Sequence, residues 1–119
     1  MKMSKNFVEI AIYQVKPEKV EEFEHLLEEV TVTQREQAGL VDLKFVKREY
    51  NIDYEQIKNG LPPHKLKKIV KCVKYILIWE FESKEDYGKA LQCLYQKYEK
   101  QMNRCLIVPH DKLIGDRIY

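Results

Sequence analysis

The stretch Ile69–Phe81 (IVKCVKYILIWEF) is the longest part of the chain rich in β-branched and aromatic residues, and neither Gly nor Pro interrupts it. This composition favours a β-strand over a helix. Both alternating faces are largely apolar, with Ile69, Val73, Tyr75, Leu77, Trp79 and Phe81 on one and Val70, Cys72, Ile76 and Ile78 on the other. A strand covered on one side only would alternate apolar and polar residues. The stretch therefore predicts a strand that is covered on both sides.

Length, composition and charge limit the classes of protein that this chain can represent. Its 119 residues, 45% of them hydrophobic, predict one domain, residues 1–119, with a packed core. The formal charge of +2 does not call for nucleic acid or an anionic membrane as a partner. No stretch approaches the roughly 20 apolar residues that span a bilayer, and the start, MKMSKNF, lacks a signal-peptide pattern. We therefore expect a soluble cytoplasmic protein.

The remaining segments predict strands and helices in alternation. Periodicity, caps and breakers delimit each of them. The predicted elements are a strand Phe7–Val15, a helix Glu18–Gln37, a strand Leu40–Tyr50, a short helix Tyr54–Lys58 capped by Asp53, a helix Ser83–Arg104 and a strand Lys112–Tyr119. An insertion, residues 51–68, separates the second and third long strands.

The order β-α-β, insertion, β-α-β is that of the α+β ferredoxin-like fold, βαββαβ, a four-stranded antiparallel sheet with two helices on one face. Two helices cover only one side of such a sheet. We place Tyr75, Trp79 and Phe81 on the other side, where they form an apolar surface too large to face water. A second copy, stacked sheet against sheet, would bury that surface. The sequence therefore predicts a homodimer.

Three stretches resemble the antibiotic biosynthesis monooxygenase family. Val15–Leu27 (VKPEKVEEFEHLL) is similar to that family's strand, VKPG turn and Glu-rich helix, although Glu18 stands where the turn usually has Gly. Gln37–Leu40 (QAGL) resembles its turn into the second strand. Ile76–Tyr87 (ILIWEFESKEDY) resembles the aromatic, acidic and serine run that leads into its second helix. The insertion is longer than is typical of the family.

The resemblance implies a dimeric α+β barrel with a pocket between each sheet and its helices, reached from the side. Members include cofactor-free oxygenases that act on polycyclic phenols, haem-degrading enzymes and proteins without demonstrated activity. The haem-degrading branch uses an Asn on the first strand and a His on the second helix as iron ligand. Phe7–Val15 contains no Asn and Ser83–Arg104 no His, so we expect no haem and no other cofactor.

An aromatic row provides the candidate substrate-binding residues. Tyr75, Trp79 and Phe81 share one strand face, and Tyr13 joins them if the first strand aligns with it. Such a row could form a flat slot for a small aromatic ligand, with Tyr hydroxyl groups to orient it. The alternative is that the same rings pack in the core or in the dimer interface.

Catalytic residues stay unassigned. Glu9 and Glu80 are strand carboxylates whose pKa burial would raise; the alternative is an exposed edge or a salt bridge to Lys44 or Lys47. The spacing of the other reactive side chains, which include His25, His64 and His110, matches no catalytic or metal-binding motif. We therefore expect no metal site.

The stretch from Lys58 to Lys74 is basic and contains no acidic residue. It could contact phosphate, but it lacks the interleaved aromatic residues of single-strand binders. We interpret it as a solvated hairpin that could meet the acidic first helix of a neighbouring subunit.

Two functional hypotheses follow from these patterns. The first is a dimeric, cofactor-independent monooxygenase-like enzyme that acts on a small aromatic compound without metal or flavin. The alternative is a dimer of the same fold without catalysis, which binds a small ligand or has a regulatory role. A pocket with a buried carboxylate or His would favour the first hypothesis, and a pocket filled by side chains the second.

Overall fold

A computed structural model describes residues 5–67 and 71–119. Its regular elements alternate much as the sequence predicts. In chain order they are β1 (Phe7–Val15), α1 (Val20–Arg35), β2 (Leu40–Lys47), β3 (Tyr50–Asn51), α2 (Tyr54–Lys58), β4 (His64–Lys65), β5 (Val73–Phe81), α3 (Lys84–Cys105) and β6 (Asp111–Asp116).

The long strands form one antiparallel sheet in the order β2-β5-β1-β6. Strands β1 and β5 are central and pair along their whole length, from Phe7 opposite Phe81 to Val15 opposite Val73. Helices α1 and α3 contact each other and pack on one face of this sheet. The ferredoxin-like βαββαβ fold predicted from the sequence is therefore confirmed.

The aromatic row lies under the helices, not on the open side of the sheet. Tyr13, Tyr75, Trp79 and Phe81 are each at most 2% exposed. The rings meet aromatic side chains of the helices, since the centroid of Tyr75 lies 5.0 Å from that of Phe23. The prediction that this row faces a second copy of the chain is therefore wrong. Bulky side chains on α1 and α3 fill the layer between the helices and the sheet, where they pack against the larger side chains of β5.

The opposite face of the sheet is open and aliphatic. Ile10 is 39% exposed, Val46 45% and Leu113 71%. The pairing register places these side chains on one face, together with Val8, Ile12, Ile76 and Ile78. Within the described chain, the central strands are thus covered on one side only.

Several boundaries differ from the predicted ones. Strand β5 begins at Val73, and the predicted residues Ile69 and Val70 lie outside the described ranges. Helix α1 ends at Arg35 and follows a single 3-10 turn at Pro17–Lys19. Strand β6 ends at Asp116. These differences lie at the ends of elements. There the boundary depends on Pro17 and on weakly paired terminal residues, and not on the spacing of apolar residues.

The predicted second strand is divided. Strand β2 stops at Lys47, and Tyr50–Asn51 pairs instead with His64–Lys65 as a separate two-stranded ribbon. The short helix Tyr54–Lys58 lies between them, and Asp53 caps it as predicted. We call residues 50–67 the arm.

The three cysteines, Cys72, Cys93 and Cys105, are free thiols. Within residues 5–67 and 71–119, no helix has both the length and the apolar character needed to cross a membrane.

Gly39 links α1 to β2 and has a backbone that other residues rarely adopt. Its φ angle is +79°, and an added Cβ atom would lie 2.6 Å from Cγ of Asp86. We expect Gly39→Ala to lower the free energy of unfolding by about 2 kcal/mol, since the left-handed conformation alone costs about 1–2 kcal/mol for an L-residue. Urea unfolding monitored by circular dichroism measures this change.

Gly88→Ala is the matched control for Gly39→Ala. Gly88 is exposed in α3, and an added Cβ atom there meets no other atom within 4 Å. Because Gly is a poor helix former, this change should raise the stability by about 0.5–1 kcal/mol. Equal effects of the two substitutions would contradict the role assigned to Gly39.

Candidate functional site

A cavity lies between the sheet and α3, at the side of the molecule formed by β1 and β6. It is lined by Glu9, Tyr13, Leu91, Leu94, Tyr95, Glu99, Met102, Asn103, His110 and Lys112. We call it the inner cavity. Its wall is mostly apolar, and its polar groups come from three separate elements. This combination is typical of small-molecule sites.

The inner cavity opens into a wider outer groove lined by Leu106, Ile107, Val108 and Pro109. Both spaces share Tyr95, Glu99, Asn103, His110 and Lys112, which therefore form the neck between them. The volume that the centre of a water molecule can occupy is about 20 Å³ in the inner cavity and about 490 Å³ in the outer groove. The inner cavity thus has room for about one water, and a larger ligand requires side chains at the neck to move.

Glu9 is the buried carboxylate of the inner cavity. It is 1% exposed, accepts a 2.5 Å hydrogen bond from the Tyr87 hydroxyl, and lies 3.4 Å from Nζ of Lys112. The alternative of an exposed edge or a salt bridge to Lys44 or Lys47 is therefore wrong for Glu9. It shares the covered face of β1 with Tyr13, whereas the two lysines lie on β2, beyond β5.

Two tyrosines beside Glu9 are held in their protonated form. Burial, followed by the charge of Glu9, raises the pKa of Tyr13. Burial and the hydrogen bond to Glu9 raise the pKa of Tyr87. The Tyr13 hydroxyl at the cavity wall is therefore available as a hydrogen-bond donor at neutral pH, and the Tyr87 hydroxyl keeps Glu9 in place.

His110 is the histidine at the neck. Its ring is half-buried and lies 4.8 Å, centroid to centroid, from the ring of Tyr13. Burial, followed by the charge of Lys112, lowers the pKa of His110 below its ordinary value of 6.5. The imidazole is therefore neutral at pH 7 and can accept a proton from a group bound in the neck.

Of the four predicted substrate-binding residues, Tyr13 lines the inner cavity. The other three do not line it. Trp79 and Phe81 pack against each other and against Tyr87 in the core. Tyr75 donates a 2.5 Å hydrogen bond to Glu24 of α1. Ligand contact by Tyr75, Trp79 and Phe81 stays a prediction, and the space around Trp79 is filled by side chains.

Glu80 lies on the open face of the sheet and is 8% exposed. It accepts a 2.7 Å hydrogen bond from Asn6 and lies 3.0 Å from Nη1 of Arg117. The Asn6 hydrogen bond, with help from Arg117, lowers the pKa of Glu80 despite the opposing effect of burial. The expectation of a raised pKa is therefore wrong, and the partner is Arg117 rather than Lys44 or Lys47.

The neck residues His110 and Lys112 were not recognised from the sequence as part of a site. A signal was present, since the βαββαβ order places the last strand, which carries Lys112, beside the first strand, which carries Glu9. Tyr95 and Glu99 share one face of α3. Within the described residues, no group of three or more His, Cys, Asp or Glu side chains is arranged to hold a metal ion.

No protein-family model matches the sequence, and no curated protein matches it either. Solved structures do match its fold. A protein from Nitrosomonas europaea, described as a "putative antibiotic biosynthesis monooxygenase", superposes with a TM-score of 0.72 at 12% identity, over 100% of this chain and 96% of that one. Rv0793 from Mycobacterium tuberculosis superposes with a TM-score of 0.70 at 13% identity, over 96% of each chain.

A third similar structure is SnoaB from Streptomyces nogalater, described as a cofactor-independent oxygenase. It superposes with a TM-score of 0.66 at 11% identity, over 97% of this chain and 95% of that one. The chain is thus an α+β protein with a cavity between its sheet and its second long helix. In particular, it has the fold of the antibiotic biosynthesis monooxygenase-like proteins, as its sequence predicts.

Proposed function

We propose that this protein is a cofactor-independent oxygenase that acts on a small phenolic aromatic compound. The observation that carries the proposal is the neutral His110 at the neck of a mostly apolar cavity, with its ring against the ring of Tyr13 and with Lys112 in the same cavity wall. The fold shared with SnoaB supports the class of reaction but does not identify a substrate.

Such a reaction begins with loss of the phenolic proton. His110 accepts this proton, and Lys112 and Tyr13 stabilise the resulting phenolate by charge and by hydrogen bonding. The phenolate then reduces dioxygen, and one oxygen atom forms a bond to the ring carbon opposite the phenolic oxygen. That carbon loses its hydrogen and becomes a carbonyl carbon. One phenol and one dioxygen give one quinone and one water, a four-electron oxidation of the ring.

A homodimer is part of this proposal. The open face of the sheet exposes a continuous aliphatic surface that includes Ile10, Ile12, Val46 and Leu113. Contiguous apolar patches of several hundred Å² are rare on monomers, and two sheets stacked face to face would bury this one. Sedimentation equilibrium at micromolar concentration tests the dimer, and a stable monomer would contradict it.

A non-catalytic protein that binds a small ligand is the alternative. The narrowness of the inner cavity and the filled space around Trp79 favour it. The same neck residues would then bind a phenol without promoting its reaction with dioxygen. Binding of 1-naphthol without oxygen uptake is the result that would select this alternative.

Oxygen uptake with 1-naphthol or 1,8-dihydroxynaphthalene tests the enzymatic proposal. We expect His110→Asn to lower the rate by about 10²- to 10⁴-fold, the contribution typical of a general base. The control is His25→Asn, since His25 is exposed on α1 and lines neither the inner cavity nor the outer groove. Equal rates for wild type and His110→Asn would exclude His110 as the base.

The pH dependence of this rate follows from the lowered pKa of His110. Only the neutral imidazole can accept the phenolic proton. The rate should therefore be maintained as the pH falls to 6.5 and decline only as the pH falls through the pKa of His110, below 6.5. In His110→Asn this acid limb should disappear. An acid limb centred above pH 7 would contradict the assignment.

A further inference from the structure

The charged side chains around the inner cavity and the outer groove do not balance. Among the described residues that line these two spaces, Glu9 and Glu99 are the carboxylates and Lys112 is the one ammonium, so the lining has a net charge of −1. Burial keeps His110 neutral at pH 7. A ligand that enters through the outer groove therefore meets an excess of negative charge.

The single cation of this lining, Lys112, is already engaged by two groups of the protein. Its Nζ lies 3.4 Å from Oε1 of Glu9 and 5.6 Å from the centroid of the Tyr95 ring, within the range of a cation–π contact. Because a buried carboxylate that loses its partner is costly, Lys112 cannot leave Glu9 to pair with a carboxylate of a ligand. Glu9 also offsets part of the charge that Lys112 offers to a phenolate.

The wall of the neck that α3 forms carries groups that attract cations. Tyr95, Glu99 and Asn103 follow at intervals of four residues, so they share one face of the helix. All three line both the inner cavity and the outer groove. The wall thus presents an aromatic ring, a carboxylate and an amide oxygen, and each of these can contact a cation.

Glu99 is the charged member of this wall, and its carboxylate is free to bind a ligand. Its side chain is exposed. No ion pair between residues of the described ranges involves Glu99. A positively charged group in the neck could therefore pair with Glu99 without breaking an ion pair of the protein, whereas a negatively charged group would have to displace Glu9 from Lys112.

We propose that the site takes a phenol that carries an aliphatic ammonium group, and that Glu99 binds this ammonium. This inference rests on the proposed function and specifies its class of substrate. The phenolic hydroxyl group lies at His110, and the ammonium lies against α3 at the entrance from the outer groove. Binding changes the net charge of the lining and its ligand from −1 to zero. The added positive charge also favours the phenolate over the phenol.

Three meta-substituted phenols of similar size and different charge test this assignment. Meta-tyramine carries an ammonium group at neutral pH, meta-hydroxyethylphenol is its neutral analogue, and meta-hydroxyphenylacetate is its anionic analogue. The meta position leaves the ring carbon opposite the phenolic oxygen free to react. We expect the dissociation constant of meta-tyramine, measured by isothermal titration calorimetry, to be about two- to fivefold lower than that of the neutral analogue, as for an exposed ion pair. The anionic analogue should bind more weakly than both.

Glu99→Gln tests the residue itself, with Glu21→Gln as its matched control. The amide keeps the size of the side chain and removes its charge, so the preference for meta-tyramine over the neutral analogue should disappear. Glu21 is exposed on α1 and lines neither space, so Glu21→Gln should keep the preference. Higher salt concentration should weaken the preference in the wild type, because ions screen exposed charges. The preference compares two ligands in one variant, so a partial loss of folded protein does not alter it.

Equal affinities of the wild type for meta-tyramine and its neutral analogue, or a preference that Glu99→Gln retains, would overturn the inference. Oxygen uptake separates this failure from a failure of the proposed function. Uptake without a charge preference would support the oxygenase and reject Glu99 as a specificity residue. Preferential binding of meta-tyramine without uptake would support the inference and reject the oxygenase. Binding of none of the three phenols would overturn the inference, and 1-naphthol then tests the proposed function alone.

Discussion

Trp79→Ala is expected to lower the free energy of unfolding by about 3–5 kcal/mol, the range for truncating a large buried side chain. Trp79 is 1% exposed. Its ring lies 5.0 Å from that of Phe81 and 5.5 Å from that of Tyr87, centroid to centroid. Removing the indole leaves a cavity in the middle of the central strands, where the sheet cannot collapse to fill it. Urea unfolding at a fixed protein concentration measures the loss.

Trp79→Phe is the matched control. The indole Nε1 is buried without a hydrogen-bond partner in the described part of the chain, and an unsatisfied buried donor costs about 1–3 kcal/mol. Phenylalanine keeps much of the packing and removes that donor, so its net effect should be small. A loss after Trp79→Phe as large as that after Trp79→Ala would contradict the expectation that phenylalanine retains much of the packing. No loss after Trp79→Ala would contradict the core assignment.

Glu9→Ala is expected to lower the free energy of unfolding by about 3 kcal/mol, the lower end of the range for breaking a buried ion pair. The substitution leaves the Tyr87 hydroxyl without its acceptor inside the molecule. It also leaves the Lys112 ammonium without its partner. The Lys112 side chain is 21% exposed, so water relieves part of the cost. The same unfolding measurement detects the change.

Glu9→Gln separates the charge of Glu9 from its hydrogen bond. The amide oxygen can still accept from Tyr87, so this variant should lose less stability than Glu9→Ala. Its charge is absent, so it no longer attracts Lys112. Equal stability of Glu9→Ala and wild type would show that Tyr87 and Lys112 find other partners. Equal losses in the two variants would assign the whole effect to the ion pair.

Local signals in the sequence predict the elements well. The Lys16-Pro17 break ends β1 at Val15, and Asp53 with Gln56 forms the capping box that begins α2. These signals act within a few residues of where they occur. The order of the elements then leaves few topologies, which is why the ferredoxin-like sheet could be predicted.

Alternation along β5 predicts two apolar faces but does not indicate which face the helices cover. Both faces are apolar, so burial alone permits either choice. The side chains of α1 and α3 determine which face is covered, because Phe23 and Tyr87 pack against the aromatic row. The assignment of Trp79 to a second copy failed for this reason.

The candidate site could be predicted from the sequence even less than the covered face of β5. Glu9 and Tyr13 lie four residues apart on one strand, but His110 and Lys112 lie about a hundred residues away, and Tyr95 comes from a helix between them. Their proximity depends on the pairing of β1 with β6 and on the position of α3. The burial that lowers the pKa of His110 is likewise a property of the packed molecule.

The sequence by itself determined the order and type of the elements, the two-faced apolar character of β5 and the fold that follows from them, because periodicity, caps and breakers act between near neighbours. Only the tertiary structure decided which face the helices cover, that Glu9 is buried between Tyr87 and Lys112, and that His110 lies at the neck of a cavity. Those outcomes depend on side-chain volumes and charges that meet across distant segments, and spacing along the chain does not contain them.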